Sequence, residues 1–222
     1  MEQFINKLKL KLKQPLPGEE AQFVMAPLNR KRLNREKFGQ ENFIQSAVML
    51  LLCMDENDNL FIPLTQRFEY AGVHSAQVSF PGGKFDDTDQ SLVNTALREC
   101  DEEIGIEKEE IEILGQLTPL YIPVSNYLVH PTVGYCNLKN ISFSKNEREV
   151  KQIVKLFLKD LLDDKICKTG SIKIRNHKAK SSLIEDKNET IKAPYFEIEN
   201  LFVWGATAMI LNEFKTILLR EN

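Results

Sequence analysis

Ser91-Leu92-Val93-Asn94-Thr95-Ala96-Leu97-Arg98-Glu99-Cys100-Asp101-Glu102-Glu103-Ile104-Gly105-Ile106 is the stretch on which the fold turns. Val93, Leu97, Cys100 and Ile104 recur at helical spacing, which predicts a helix over Ser91–Ile104 with that stripe against a core. Gly105 stands in the usual helix-ending position. Glu99, Glu102 and Glu103 fall at i, i+3 and i+4 and form a second stripe beside the apolar one. One face is thus free to bury while the other presents three carboxylates to a common point. Like charges that close are unfavourable unless a cation sits among them. Hard oxygen ligands in that number favour Mg2+ or Mn2+ over zinc. Upstream, Phe80-Pro81-Gly82-Gly83-Lys84 offers a glycine pair where the backbone can turn sharply or approach a ligand. An exposed charged helix face would show the same glutamates. The glycine loop ahead of them and Gly105 behind favour a metal-bridged phosphate substrate.

Outward from this helix the pattern is mostly strand. Phe43–Met54 is a continuous apolar run, followed by the turn segment DENDN and then Leu60–Thr65, which predicts a hairpin. Further strand-like pieces lie at Ile111–Leu117, Val129–Tyr135 and Val150–Phe157, with Pro119, Pro123 and Pro131 punctuating the loops. Phe4, Leu8 and Leu12, at four-residue spacing, suggest a short amphipathic helix ended by Pro15 and Pro17, although alternating Lys and Leu also fit an edge strand. Residues 163–192 are charged and poor in large apolar groups, as a surface excursion or hairpin would be. Leu201–Leu219 reads as a long closing helix. Strands with a central and a terminal helix, without regular βαβ alternation, predict a mixed β-sheet flanked by helices on both faces. The organisation expected is a single domain over 1–222, with an N-terminal extension of about 40 residues.

Composition excludes several classes. The 222 residues carry a formal charge of −3 and are 42% apolar, with no apolar run of even half a bilayer span. A membrane-spanning, disordered or coiled-coil protein is therefore excluded. Nucleic acid is not an expected partner, because the net charge is negative and no aromatic-and-basic RNA motif appears. Charge is uneven: residues 1–40 hold nine Lys/Arg against four Asp/Glu, whereas residues 85–112 hold eleven acids against two bases. The acidic block overlaps a helical period, as a structured segment would, and calls for a cation or an arginine to neutralise it, which makes a divalent metal worth suspecting. Cys53, Cys100, Cys136 and Cys167 stand far apart, and the N-terminus shows neither an apolar leader core nor a small-residue cleavage site. A reducing cytoplasm is the expected compartment.

Gly83 through Ile106 resembles the Nudix box, G-x5-E-x7-R-E-U-x-E-E-x-G-U. It departs in two places: Asp89 stands where the first Glu belongs, and one extra residue separates Asp89 from Arg98. Both departures are similar to the coenzyme A pyrophosphatase branch of Nudix hydrolases. That branch's signature, LLTxR…H-x-G-x-V-x-FPGG, resembles Leu64-Thr65-Gln66-Arg67 followed by His74-Ser75-Ala76-Gln77-Val78-Ser79-Phe80-Pro81-Gly82-Gly83, with Ala76 replacing the usual glycine. Leu16-Pro17-Gly18, Ala21-Gln22, Met25-Ala26-Pro27, Asn146, Glu149-Val150 and Trp204-Gly205-Ala206-Thr207-Ala208 extend the likeness over roughly residues 16–210.

The resemblance implies an α/β/α Nudix fold and Mg2+- or Mn2+-dependent hydrolysis of the diphosphate bond of coenzyme A or a derivative, giving 3′,5′-ADP and (acyl-)4′-phosphopantetheine. It implies that Glu99, Glu102 and Glu103 bind metal, that Arg98 holds a box carboxylate, and that Asp89 and Gly105 support the box. Glu102 or Glu149 is the candidate general base, since a carboxylate fully committed to metal is poorly basic. Gly82, Gly83 and Lys84 are candidate substrate contacts. Arg67 suits either a substrate phosphate, through its planar fork of donors, or a surface ion pair. His74 suits a structural role better than an acid–base one. The basic stretch Lys165, Lys168, Lys173, Arg175, Lys178 and Lys180 fits a solvated loop better than a 3′-phosphate site. Trp204 and Thr207 are expected to pack, and Tyr121 and Tyr127, flanking Ser125, to line a substrate loop. The likeness makes a homodimer plausible. Two alternatives stand beside this reading: a hydrolase of ADP-ribose or a dinucleotide polyphosphate, and a catalytically idle nucleotide-binding module.

Overall fold

The structure, a computed structural model, describes residues 1–28, 30–32, 42–68, 77–139, 141–176 and 187–220. The expected hairpin is β1 (Ile44–Met54) and β2 (Leu60–Arg67), antiparallel with Cys53 opposite Phe61. The turn between them is tied by Asp55, whose carboxylate accepts from the backbone N–H of Asn57 (2.9 Å) and Asn59 (2.7 Å). β3 (Val78–Ser79) pairs with β2, and β4 (Gly82–Lys84) lies against the start of β1, with Ala47 opposite Gly83. The acidic helix follows as α3 (Leu92–Ile104), after α1 (Glu2–Leu12) and α2 (Gly18–Phe23) at the N-terminus. β5 (Ile111–Gln116), β6 (Leu120–Ile122), β7 (Tyr127–Lys139) and β8 (Val150–Phe157) complete the main sheet.

Among the described residues this mixed sheet has eight strands, ordered β3-β2-β1-β7-β5, with β4 on β1, β6 on β7 and β8 on β2. Only β1 and β7 run parallel, in register from Ile44/Tyr127 to Leu52/Tyr135. Burial on both faces explains why β1 reads as an unbroken apolar run. Ala47, Met49, Leu51 and Cys53 pack on Ala96, Cys100 and Ile104 of α3. Leu50 and Leu52 join Leu8 and Leu12 of α1, and Ile210 and Phe214 of α5 (Gly205–Leu219), on the other side. The result is an α/β/α sandwich, as expected.

Two expectations are corrected. Leu201–Leu219 is not one helix: Leu201–Trp204 is β11, and the helix begins at Gly205. The turn before it, Glu199-Asn200, has both residues at positive φ (49° and 64°), the backbone of a tight two-residue hairpin, and pairs Leu201 with Ile198. The hairpin reading of residues 163–192 agrees with the structure, where the described parts of that stretch form most of a second sheet. After α4 (Leu158–Leu162), β9 (Cys167–Asn176) and β10 (Lys187–Ile198) pair antiparallel from Phe196/Cys167 outward, and β11 joins β10. Its inner end is anchored by Ala193, Phe196 and Val203, all buried. Pro131 lies inside β7 opposite Val48, where its carbonyl accepts from Leu117 N–H (3.0 Å), so it punctuates nothing.

Candidate active site

The helix that carries the acids is fixed at both ends. Ser91 caps its start, accepting from the Asn94 N–H at 3.1 Å, and Gly105 ends it at φ 71°, donating to the Asp101 carbonyl. A Cβ on Gly105 would collide with Ser144 as well as strain the backbone. The buried face differs from the predicted stripe. Thr95, Ala96, Cys100, Glu103 and Ile104 are buried, whereas Val93 and Leu97 are only partly so. The helix is therefore rotated so that one of the three acids points inward.

The three glutamates thus occupy three environments, with side-chain exposures of 14% for Glu99, 55% for Glu102 and 2% for Glu103. Arg98 organises the outer two. Its Nη1 donates to Glu99 (2.9 Å) and Glu102 (3.1 Å), its Nη2 reaches the Lys84 carbonyl at 3.3 Å, and its Nε and Nη2 grip Asp89 at 2.7 and 3.1 Å. Asp89 also accepts from Thr95 Oγ1 (2.8 Å) and the Asp86 N–H (3.0 Å). The Arg98 guanidinium and these donors hold its carboxyl down at about 2 despite burial. Asp89 belongs to a 3-10 turn, Asp87–Asp89, and Gln90 follows at φ 65°.

Glu103 is held from β2. Thr65 Oγ1 donates to Oε2 at 3.1 Å and Arg67 Nη2 donates to Oε1 at 3.2 Å; the same Arg67 nitrogen lies 3.4 Å from the Gly82 carbonyl. Burial nevertheless pushes the Glu103 carboxyl up to about 7, with Arg67 and Thr65 opposing the rise and Glu99 and Glu149 adding to it. Burial also raises Glu99, against the pull of Arg98 and with Glu102 and Glu149 reinforcing it. Glu149 therefore lies near enough to add to the rise of both helix acids. It is placed by a loop docked on the end of α3: Ser144 N–H donates to the Ile104 carbonyl (3.1 Å) and Asn146 N–H to that of Glu103 (3.0 Å).

The glycine pair proves to be a packing requirement. A Cβ on Gly82 would strike the Ala47 carbonyl and Val48, and one on Gly83 would overlap the Glu99 carboxylate. Glu99 rests on bare backbone where the sequence suggested room for a ligand. Lys84 is exposed beside it. The structure therefore brings together Arg67, Gly82, Gly83, Lys84, Asp89, Arg98, Glu99, Glu102, Glu103 and Glu149. His74, Lys178 and Lys180 lie outside the described residues, as do the side chains of Lys173 and Arg175. Thr65 carries no assignment from the sequence, although it lies inside the quoted Leu64–Arg67 motif. The Leu16-Pro17-Gly18 and Gln22 motif belongs elsewhere: Gly18 N–H and Gln22 Nε2 bind Glu213 of α5. Thr207 is a packing residue as expected, bonded to the Val78 carbonyl at 3.0 Å. Tyr121 packs against Phe43 with the rings tilted at 56° and donates to Asn126 (3.1 Å).

Among the described residues no three His, Cys, Asp or Glu side chains are gathered closely enough to cage a metal ion. The donor set still suits one. Asp89, Glu99, Glu102, Glu103 and Glu149 oppose the guanidiniums of Arg67 and Arg98, so negative charge is in excess, and Glu99 and Glu103 are raised first by burial and further by neighbouring carboxylates. All are hard oxygen donors, the kind that Mg2+ or Mn2+ takes.

The NUDIX domain family model matches residues 44–164, from β1 to the turn after α4. A Nudix hydrolase NudL of Yersinia pestis (strain Pestoides F) is 32% identical over 95% of this chain and 91% of its own length. The NudL of Yersinia pseudotuberculosis (serotype O:1b) gives the same values. A MutT/nudix family protein from Enterococcus faecalis superposes with a TM-score of 0.49 at 15% identity, over 96% of this chain and 73% of that one.

Proposed function

The chain belongs to the Nudix family and is a Nudix hydrolase, and on that premise we propose that it cleaves the diphosphate bond of coenzyme A or a derivative, releasing 3′,5′-ADP and (acyl-)4′-phosphopantetheine. The observation that carries the proposal is the convergence of two separate motifs on the acid helix. Thr65 and Arg67 bind Glu103, and Arg67 reaches back to Gly82 of the Phe80–Gly83 loop. Two described pieces of the segments that resemble the coenzyme A pyrophosphatase signature, Thr65–Arg67 and Phe80–Gly83, thus meet at the acid helix, which supports this reading.

Glu99, Glu102 and Glu103 would hold Mg2+ or Mn2+, which when bound neutralises diphosphate oxygens and activates the attacking water. Arg98 keeps Glu99 and Glu102 side by side, and Asp89 fixes Arg98. Glu102, half exposed and held by Arg98, and Glu149, exposed on the docked loop, retain the capacity to accept a proton from water. Lys84, exposed at the end of β4, offers an ammonium to a substrate phosphate. Four free cysteines support a reducing cytoplasm as the compartment.

The test is incubation with coenzyme A and Mg2+ followed by mass analysis. Appearance of 3′,5′-ADP and 4′-phosphopantetheine is expected. Cleavage of ADP-ribose or a dinucleotide polyphosphate with coenzyme A left intact overturns the substrate. Tight nucleotide binding with no turnover of any diphosphate overturns the catalytic role.

A further inference from the structure

We infer that Arg67 and Thr65 are positioning residues that act through Glu103, and that Arg67 is not a phosphate ligand. The Arg67 side chain is two-thirds covered, and its Nη2 is turned between the Glu103 carboxylate and the Gly82 carbonyl. Thr65, fully buried, takes the other carboxylate oxygen. A carboxylate held at one oxygen can still rotate about its last torsion; held at both, it cannot. Each oxygen accepts one hydrogen bond from these donors and keeps a second lone pair, so the group is aimed without being used up. Arg67 also ties β2, the glycine loop and α3 into one unit, because Gly82 lies in the strand segment whose next residue supports Glu99. Removing Arg67 leaves a nearly sealed carboxylate with one neutral donor and with Glu99 and Glu149 nearby.

The inference rests on the metal-dependent reading of the site and not on the choice of substrate. Its test therefore begins without substrate, as Mn2+ titration followed by electron paramagnetic resonance in wild type, Arg67→Gln, Arg67→Lys and Thr65→Val. Arg67→Gln is expected to weaken Mn2+ roughly tenfold, the lower end of what losing a partner of a metal ligand costs, and Thr65→Val to weaken it less, with Arg67→Lys recovering part of the loss. In a Glu103→Gln background, Arg67→Gln is expected to add less than about twofold, because residues acting through one group are not additive. With any diphosphate that the wild type cleaves, kcat should fall while KM stays within about threefold. Unchanged Mn2+ affinity with a tenfold or larger rise in KM would show that Arg67 binds phosphate, and overturns the inference. Additive losses in the Glu103→Gln background overturn it equally. If Arg67→Gln does not fold, Thr65→Val carries the same comparison, and full Mn2+ affinity in that variant sinks the proposal. Failure of coenzyme A as substrate would leave the Mn2+ titrations and their outcome untouched.

Discussion

Two glutamates are buried on opposite faces of the same sheet, and they are built differently. Glu213 of α5 has no exposed surface and four neutral donors: Gly18 N–H (3.1 Å), Gln22 Nε2 (2.8 Å), Thr118 N–H (3.3 Å) and Thr118 Oγ1 (2.7 Å). It joins α5 to the N-terminal segment and to the loop before β6, with no acidic group among those donors. Glu103 of α3 is as deeply placed but has two donors and faces other carboxylates, which add to the rise that burial causes. A buried charge fully met by hydrogen bonds specifies structure. One left under-compensated beside like charges holds free energy that an arriving cation releases. The comparison separates a joint from a site using burial and partners alone.

The sharpest way to break it is to neutralise each acid in turn. Glu103→Gln is expected to lower metal-dependent diphosphate hydrolysis by about 10³-fold, the scale of losing a key electrostatic group, while the melting temperature stays within a few degrees. Glu213→Gln should do the reverse. One acceptor oxygen becomes an amide donor in a sealed site, and the donors facing it lose their partner. The cost is about 3 kcal/mol, or roughly 6–12 °C in a chain of this size, with kcat near wild type. Steady-state kinetics and thermal unfolding of both variants decide the matter. If the two swap phenotypes, the distinction between joint and site is wrong.

Asp89 tests the middle ground, as a structural acid inside the catalytic layer. Its carboxyl is held at about 2 by Arg98 and its other donors, below the ordinary value near 3.8. A depressed folded-state pKa contributes stability that is present above the unfolded value and lost as pH falls through the folded one. Asp89 is therefore expected to stabilise the fold by about 2 kcal/mol at neutral pH, with that contribution disappearing between about pH 4 and pH 2. Urea unfolding of wild type and Asp89→Asn across that range should show two curves that converge on acidification. Parallel curves would mean that the Arg98 pair gives nothing to stability.

How much of this was legible depends on whether the cause was local. The helix over Leu92–Ile104, its Gly105 end and the β1–β2 hairpin follow from periodicity and turn chemistry within a few residues of themselves. The three glutamates were legible as a set but not as individuals, because their different exposures depend on how α3 rolls on β1. Arg67 and Thr65 carry no local sign of their role: the partner lies more than thirty residues away and meets them only when β2 and α3 pack. Glu213 reads in sequence as an ordinary helix acid until Gly18 and Thr118 arrive from the distant N-terminal and β6 segments. Leu201–Trp204 merges with the closing helix in sequence because the apolar run continues past Gly205. The Glu199-Asn200 turn that sets this strand apart contains no glycine to announce it.

That turn gives the smallest test and extends the comparison to the second sheet. Glu199 and Asn200 both occupy left-handed backbone, which an L residue other than glycine or asparagine adopts at a cost. Glu199→Asn with Asn200→Gly supplies the pair that a two-residue hairpin prefers. The double variant is expected to stabilise the chain by about 1 kcal/mol, seen as a rise of roughly 2–4 °C in melting temperature. It should leave kcat and Mn2+ affinity unchanged, because β11 packs on β10, β3 and α5, and its buried Val203 belongs to the core on the face of the sheet opposite the acid helix. A change in turnover would mean that the second sheet is mechanically coupled to the glycine loop, since β3 leads directly into Phe80–Gly83, and stability and chemistry would no longer divide along the layers.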